Sequence, residues 1–261
     1  MTAFQPPLHR RRLAIPADRP LIYAIGDVHG CHDALLALEE RIRTDAADHA
    51  HLRPLILYLG DYVDRGPASN AVIEHLAAER HSDGIERIAL CGNHDDTFLK
   101  FIFDPQQHRR WLDFGGDATL RSYGLALHDY LDRADGMEVL GKDLQARIPS
   151  HHVAFLQNLP VALLSGKRLF VHAGIRPGVP LWRQEDHDMI WIREPFLSEG
   201  PGLPVTVIHG HTAGLEPVFG KGRICIDTTC YATGRLTALK VTPEGATLLQ
   251  AGSGGSVHPR F

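Results

Sequence analysis

The sequence predicts an α/β fold, because a short apolar strand, a glycine-containing loop and a helix follow one another three times in its first hundred residues. In the first helix Leu35, Leu38 and Ile42 recur at helical spacing with charged residues between them, which indicates one buried face. The predicted strands are Leu21–Ile25, Leu55–Leu59 and Ile88–Leu90, and their helices cover His32–Arg43, a segment around Val72–Leu76, and Thr97–Phe103.

The rest of the chain has a different pattern. Residues 104–160 contain helical and aromatic stretches broken by glycines, so we expect a helical insertion there. Short strands dominate from Lys167 onward. We expect one domain over residues 20–251, with flexible tails over 1–19 and 252–261. The later strands are predicted at Leu169–Val171, Val205–Ile208, Ile224–Ile226, Leu236–Val241 and Thr247–Gln250.

The composition is that of a globular protein, with 261 residues of which 44% are hydrophobic and 22% charged. A formal net charge of −4 argues against a partner that is a nucleic-acid duplex. No apolar run approaches the roughly 20 residues of a membrane span, and the N-terminus lacks a signal-peptide pattern. The four cysteines show no CxxC spacing and are typical of reduced thiols. We therefore expect a cytoplasmic protein, and we take it to be a monomer.

Polar residues that a core cannot use follow five of the predicted strands. Because ligand sites in α/β sheets lie beyond the carboxyl ends of the strands, these residues should meet at one rim. Carboxylate, imidazole and amide oxygen suit Mn²⁺, Fe or Zn²⁺ better than Cu(I). Six such ligands are too many for one tetrahedral ion but enough for two ions that share a carboxylate. The candidates are Asp27, His29, Asp61, Asn93, His172 and His211.

Five motifs carry these residues and occur in a fixed order: GDVHG at 26–30, GDYVDRG at 60–66, GNHD at 92–95, VHAG at 171–174 and HGHT at 209–212. Together they resemble the phosphoprotein phosphatase branch of the calcineurin-like metallophosphoesterases, from about Leu21 to Ala251. The segments WLDFGGDATLRSYG and WIREPF resemble bacterial members, including the lambda-phage-type protein phosphatases. The resemblance implies a central β-sandwich flanked by helices in four layers.

The resemblance also implies two divalent metal ions held by the six candidates, with Mn²⁺ expected before Fe or Zn²⁺. Asp27 and His29 would bind the first ion, and Asp61 would bridge both. The ligands that complete the second ion are Asn93, His172 and His211.

Further residues match positions that handle the phosphoryl group in this family. Arg65 and Arg193 match its phosphate-binding arginines, whose planar fork can hold two phosphoryl oxygens. Asn93 is assigned to substrate binding as well as to metal. His94 would be the general acid that protonates the leaving oxygen, with Asp64 holding its imidazole.

The function implied first is that of a serine/threonine protein phosphatase, which hydrolyses phosphomonoesters by direct attack of a hydroxide that bridges the two metal ions. Two departures favour another substrate: Asp95 stands where protein phosphatases usually carry Glu, and HAG at 172–174 replaces HGG. Symmetrical diadenosine tetraphosphatases share both features, although they typically lack a counterpart of Asp64. The alternatives are therefore a diadenosine tetraphosphatase or other small-molecule phosphoesterase and, from a different class, a non-catalytic binding module.

Overall fold

The computed structural model describes residues 9–17, 21–49, 52–78 and 83–252. Within these residues the strands form two sheets, and helices lie on the outer faces of both. The strands are β1 (Arg12–Ile15), β2 (Ile22–Ile25), β3 (Leu55–Tyr58), β4 (Glu86–Ala89), β5 (Ala162–Ser165), β6 (Arg168–Val171), β7 (Thr206–His209), β8 (Val218–Gly220), β9 (Arg223–Cys225), β10 (Leu236–Thr242) and β11 (Gly245–Ala251).

The helices confirm the insertion that the sequence predicts, since helical segments occupy most of residues 109–158 and no strand occurs between 104 and 160. Short 3-10 helices cover Arg109–Phe114 and Leu181–Arg183. The α-helices of the described residues are α1 (His32–Ala47), α2 (Ser69–Leu76), α3 (Asn93–Phe103), α4 (Gly116–Ser122), α5 (His128–Leu131), α6 (Gly136–Arg147), α7 (Ser150–Asn158), α8 (Asp186–Trp191), α9 (Phe196–Glu199) and α10 (Cys230–Thr233).

The five-stranded sheet has the order β11-β10-β2-β3-β4, in which β2, β3 and β4 are parallel and β10 and β11 are antiparallel. The six-stranded sheet has the order β1-β5-β6-β7-β9-β8, in which β6, β7 and β9 are parallel. Each sheet therefore presents three parallel strands whose carboxyl ends point to one edge. This is the arrangement that collects loop residues into a site.

The core between the sheets follows from the two-residue period of a strand. Ile22 and Ala24 of β2 face Phe170 and Ile208 of the opposite sheet, while Tyr23 of β2 faces the helices. Both faces of β2 are buried, as expected for a strand covered on two sides. The result is the predicted β-sandwich flanked by helices.

The expectation of a flexible tail over residues 1–19 is wrong for its described part. Strand β1 pairs in parallel with β5, at the edge of the six-stranded sheet. The buried guanidinium of Arg10 donates to Asp96 Oδ1 at 3.0 Å and to the carbonyl oxygen of Leu156 at 3.0 Å. These partners lie far along the chain, so local composition could not reveal them. Residues 1–8, 18–19 and 253–261 of the predicted tails lie outside the described residues.

Helix α3 begins at Asn93, four residues before the helix that the sequence predicts over Thr97–Phe103. Asp95 lies in the first turn and accepts the backbone N–H of Gly92 at 2.9 Å, which satisfies one of the free amides of the helix terminus. Asn93 and His94 are therefore held on a helix rather than on a loop. No helix among the described residues has the length and apolar character needed to cross a membrane.

Candidate metal centre

The predicted ligands come together where the parallel strands of both sheets end. Asp27 follows β2, Asp61 follows β3 and Asn93 opens the helix after β4. From the other sheet, His172 follows β6 and His211 follows β7. All six predicted ligands are buried, including His29. The structure therefore brings together residues spread over more than 180 positions of the sequence.

The backbone is strained at this edge. Seven non-glycine residues of the described chain have positive φ, and five of them are predicted site residues. Such conformations cost roughly 1–3 kcal/mol each and persist only where the surrounding structure fixes them. The five are His29 (φ 43°), Asp61 (φ 54°), Asp64 (φ 73°), Arg65 (φ 68°) and His211 (φ 63°).

Two glycines of the motifs leave room for the carboxylates. A Cβ atom on Gly92 would lie 2.1 Å from Asp61 Oδ1, and one on Gly210 would lie 1.8 Å from Asp27 Oδ1. Any larger residue would displace these oxygens. The glycines in GNHD and HGHT are thus required by the close approach of two acidic side chains.

Two groups of possible ligand atoms share Asp61. The first comprises His29, Asp61 and His94, and the second comprises Asp61, His172 and His211. In the first, Asp61 Oδ2 lies 3.5 Å from His29 Nε2. In the second, Asp61 Oδ1 lies 3.3 Å from His172 Nε2. One carboxylate thus faces both groups, as a bridging ligand must.

Asn93 and Asp27 complete the arrangement. Asn93 Oδ1 lies 2.9 Å from His172 Nε2 and 2.8 Å from His211 Nδ1, so the amide oxygen belongs to the second group. Asp27 accepts the backbone N–H of His211 at 3.0 Å. Its carboxylate is held beside the two groups rather than within either.

Hydrogen bonds outside the centre orient two imidazoles. His29 Nδ1 lies 2.8 Å from the carbonyl oxygen of Val63, and His172 Nδ1 lies 3.0 Å from that of Leu59. A carbonyl only accepts, so each Nδ1 carries the hydrogen. The Nε2 lone pair of each ring is therefore available to a cation when the ring is neutral. Burial lowers the pKa of His29 to about 3, which favours this neutral form.

The centre contains more buried negative charge than its own cations balance. Burial, with Asp227 and Asp61 nearby, raises the pKa of Asp27 well above its ordinary value. Burial and Asp61 likewise raise the pKa of Asp227. In addition, His211 Nε2 is buried without a hydrogen-bond partner among the described residues. Clustered carboxylates and an unpartnered imidazole nitrogen fit divalent cations, which would satisfy both.

His94 lies beside the first group and is held from behind by Asp64. His94 Nδ1 donates to Asp64 Oδ2 at 2.6 Å, and Asp64 is completely buried. Trp111 Nε1 donates to the same oxygen at 2.9 Å, and Thr119 donates to Oδ1 at 2.7 Å. Burial alone would lower the pKa of His94, but the carboxylates of Asp61 and Asp64 raise it. This is the environment of an imidazole that can donate a proton near neutral pH.

The two predicted arginines flank the centre from opposite sides. The exposed Arg65 reaches His29 Nε2 at 3.0 Å through one guanidinium nitrogen and His94 Nε2 at 3.1 Å through the other. Arg193 is also exposed and donates to the carbonyl oxygen of His211 at 3.4 Å. The predicted site therefore contains positive charges, on two exposed guanidinium groups, and negative charges, on buried carboxylates.

Aromatic side chains form a rim around the centre. The ring of Phe114 lies 5.9 Å from those of both His94 and Trp191. Trp191 in turn lies 6.3 Å from His211. On the other side Tyr231 is exposed and lies 4.8 Å from the Arg65 guanidinium, in a cation–π contact.

Three of these features were not predicted. Asp227 follows β9, so the strand-end pattern that identified the other acids could have found it. Asp95 accepts the backbone N–H groups of Asp61 and Tyr62 at 2.8 Å each, which fixes the loop that carries the bridging carboxylate. The position of Tyr231 has no signal in the local sequence.

Comparisons with known proteins agree with this geometry. The sequence profile of the calcineurin-like phosphoesterase family matches residues 20–234. The asymmetrical bis(5'-nucleosyl)-tetraphosphatase PrpE of Anoxybacillus flavithermus is 26% identical over 244 aligned residues, 86% of this chain and 91% of the relative. A symmetrical bis(5'-nucleosyl)-tetraphosphatase of Methylococcus capsulatus is 30% identical, with 84% of this chain and 91% of the relative aligned.

A solved structure has the same fold. A crystal structure assigned as a diadenosine tetraphosphatase superposes with a TM-score of 0.61 and covers 94% of this chain and 100% of its own. The two sequences are 22% identical over this match, so the likeness concerns the fold alone.

Proposed function

The chain belongs to the calcineurin-like phosphoesterase family, and we propose that within it the chain hydrolyses dinucleoside polyphosphates such as diadenosine tetraphosphate. The sequence ranks protein phosphatase first and tetraphosphatase as the alternative. The names of the relatives support the alternative, since both relatives described above are bis(5'-nucleosyl)-tetraphosphatases. The wider family is shown, and the names of these relatives do not support the finer assignment to the lambda-phage-type branch.

In this proposal the six residues at the strand ends would hold two divalent ions, and Asp61 belongs to both groups of possible ligands. When bound, such a pair acidifies water and polarises phosphoryl oxygens. The residues that would hold the ions are Asp27, His29, Asp61, Asn93, His172 and His211.

The remaining polar residues act on the phosphate chain. The exposed forks of Arg65 and Arg193 would bind phosphoryl oxygens from opposite sides and offset their negative charge. His94 Nε2 would deliver a proton to the oxygen that leaves phosphorus. Asp64 keeps the imidazole in the orientation with Nδ1–H toward the carboxylate, at 2.6 Å.

The observation that carries the choice of substrate is the aromatic rim. Phe114, Trp191 and Tyr231 lie within 5.4–6.3 Å of the imidazoles of the centre, measured between ring centroids. Trp191 also lies beside the exposed His187, 6.2 Å away with the two rings within 19° of parallel. Purine bases stack on such surfaces, and each stack is worth about 1–3 kcal/mol. A phosphoserine side chain has no group that would use them.

Direct comparison of substrates tests the proposal. Manganese-loaded protein would be assayed with diadenosine tetraphosphate, a phosphoserine peptide and para-nitrophenyl phosphate. We expect the highest kcat/KM for the dinucleotide, and chromatography of its products separates symmetrical from asymmetrical cleavage. A higher kcat/KM for the phosphopeptide would overturn the proposal.

Truncation of the rim gives a second test. We expect Trp191→Ala to raise KM for diadenosine tetraphosphate about tenfold, because one base loses its stacking surface. Turnover of para-nitrophenyl phosphate, which has no base, should stay within twofold. Trp182→Ala is the matched control, since Trp182 is exposed and stacks on Arg183 instead. Equal losses on both substrates in Trp191→Ala would contradict a role in base binding.

One observation favours the second candidate, a phosphomonoesterase that acts on phosphoproteins. The short hydrogen bond between Asp64 and His94 stabilises the protonated imidazole, so a proton is available for a leaving group. An alkoxide such as that of serine needs a proton on leaving, whereas a nucleotide phosphate leaves as a stable anion. Preference for alkyl phosphates over the dinucleotide in the assay above would select this candidate.

A further inference from the structure

A second cluster of metal-binding side chains lies between helices α2 and α7, and it shares no residue with the candidate metal centre. Glu74 of α2 places its Oε2 atom 2.9 Å from His151 Nε2 and 2.8 Å from His152 Nε2. The three ligand atoms lie within 4.8 Å of one another. We propose that Glu74, His151 and His152 form a binding site for a single zinc ion.

The donor set is suited to zinc. Two imidazole nitrogens and one carboxylate oxygen form a common three-ligand set for this ion, with the fourth tetrahedral position left to water. With bonds of about 2.0–2.1 Å, tetrahedral geometry places ligand atoms about 3.3 Å apart. Glu74 Oε2 would therefore move by only a few tenths of an ångström from each imidazole. Glu74 and His151 are exposed and can make this adjustment, and they leave the site open to the solvent.

His152 is the fixed member of the set. It is buried, and its Nδ1 lies 2.8 Å from the hydroxyl oxygen of Tyr123. The Tyr123 hydroxyl oxygen can accept a hydrogen from Nδ1. With zinc bound, that hydrogen bond would leave the Nε2 lone pair of His152 to the ion, which is how a partner beyond the ligand commonly orients a zinc-bound histidine.

Zinc at this position would join two helices, α2 and α7, that are far apart in the sequence. Helix α2 follows the GDYVDRG loop, and its first residue, Ser69, accepts the backbone N–H of Asp64 through its hydroxyl at 3.2 Å. Helix α7 ends the helical insertion. The ion would thus hold helix α2, which follows the GDYVDRG loop of the candidate metal centre, against helix α7. We expect it to affect the stability of the fold rather than the chemical step.

The test counts zinc bound per chain. The protein and its variants would be loaded with zinc, dialysed against a weak chelator, and their metal content measured by elemental analysis. We expect Glu74→Gln and His151→Asn each to retain one zinc equivalent fewer than the unmodified protein. His128→Asn is the matched control, because His128 is an exposed histidine of the same insertion that pairs with Asp129 alone among the described residues.

The measured quantity is a difference between proteins, so it does not depend on how many ions the candidate centre holds or on which substrate the enzyme prefers. The same metal content in all four proteins would overturn the proposal and leave the cluster as a hydrogen-bonded ion pair. Tyr123→Phe adds a graded test, because loss of the orienting partner should weaken zinc binding at this site about 10- to 100-fold without abolishing it. If zinc stabilises the packing of α2 against α7, its addition should raise the Tm of His128→Asn and raise that of Glu74→Gln by less.

Discussion

Two buried clusters of charged side chains differ in how their negative charge is balanced. Glu39 on α1 is completely buried, and its carboxylate meets His75 Nε2 at 2.8 Å, the Tyr58 hydroxyl at 2.7 Å and the Arg87 guanidinium at 3.0 Å. Burial alone would raise the pKa of Glu39, but these partners lower it to about 2. The carboxylate is therefore ionised and fully partnered by the protein itself.

The candidate metal centre shows the opposite balance. Asp27 and Asp227 are buried near Asp61, and their pKa values are raised instead of lowered. No lysine or arginine forms an ion pair with Asp27, Asp61 or Asp227 among the described residues. Buried acids alone therefore do not indicate a metal site. Buried acids that form no ion pair with a lysine or an arginine do indicate one, because a bound metal ion can balance their charge.

The largest effect is expected from a substitution of Asp61, the residue that both ligand groups of the candidate metal centre share. Asp61→Asn replaces the carboxylate that faces both ligand groups with an amide, a poorer bridge for two cations. We expect metal content to fall by at least one equivalent relative to the unmodified protein and kcat to fall roughly 10³-fold or more, since metal ions supply several kcal/mol of stabilisation to the transition state. Elemental analysis and steady-state kinetics measure both.

The control for this prediction is Glu39→Gln, which removes an equally buried carboxylate from the balanced cluster. It should retain the full metal content and near-normal kcat. The same metal content in Asp61→Asn as in the unmodified protein would count against the bridging role.

The next largest effect is expected at His94, where a substitution should change the chemical step but not the binding of substrate or metal. His94→Asn should lower kcat about 10²- to 10⁴-fold with little change in KM or metal content, because it removes a proton donor needed in the transition state. The loss should be greater for an alkyl phosphate than for a substrate whose leaving group is a nucleotide. Unchanged turnover at neutral pH would exclude the acid role.

Asp64→Asn adds a readout that a merely structural residue would not move. Asp64 helps to raise the pKa of His94, and an acid is active while protonated, so activity should decline as pH rises through that pKa. Without the carboxylate the decline should begin at lower pH. A pH–rate profile that keeps its alkaline limb in Asp64→Asn would contradict the proposed pairing.

The smallest effect concerns stability and the balanced cluster. The folded pKa of Glu39 lies below its ordinary value of 4.5, so its ionised form stabilises the fold above that pH, and the stabilisation is lost as pH falls toward about 2. Glu39→Gln should therefore lower the free energy of unfolding by about 3 kcal/mol at pH 7. Denaturant unfolding should show the difference from the unmodified protein shrinking between pH 4.5 and pH 2. A difference that does not change with pH would mean that packing, rather than charge, is responsible.

The sequence predicted that the six candidate ligands lie together more fully than it predicted the strands of the sheets. Every predicted metal ligand follows a strand, so knowing where the strands end was sufficient to place the ligands at one edge. Three strands escaped prediction: β1, β5 and β8. Each is three or four residues long and lies in the outer half of the six-stranded sheet or at its edge, where pairing with a neighbour rather than local pattern defines the strand.

What the sequence determined by itself is the chemistry of the ligands and their order, because residue type and strand-end position are both local properties. Only the tertiary structure decided how charges are balanced. Arg10 finds Asp96 at a separation of 86 residues, and Glu74 meets His152 at a separation of 78. Such pairs depend on which faces of distant helices and strands pack together, and the free energy of that packing is spread over many apolar contacts that no short motif records.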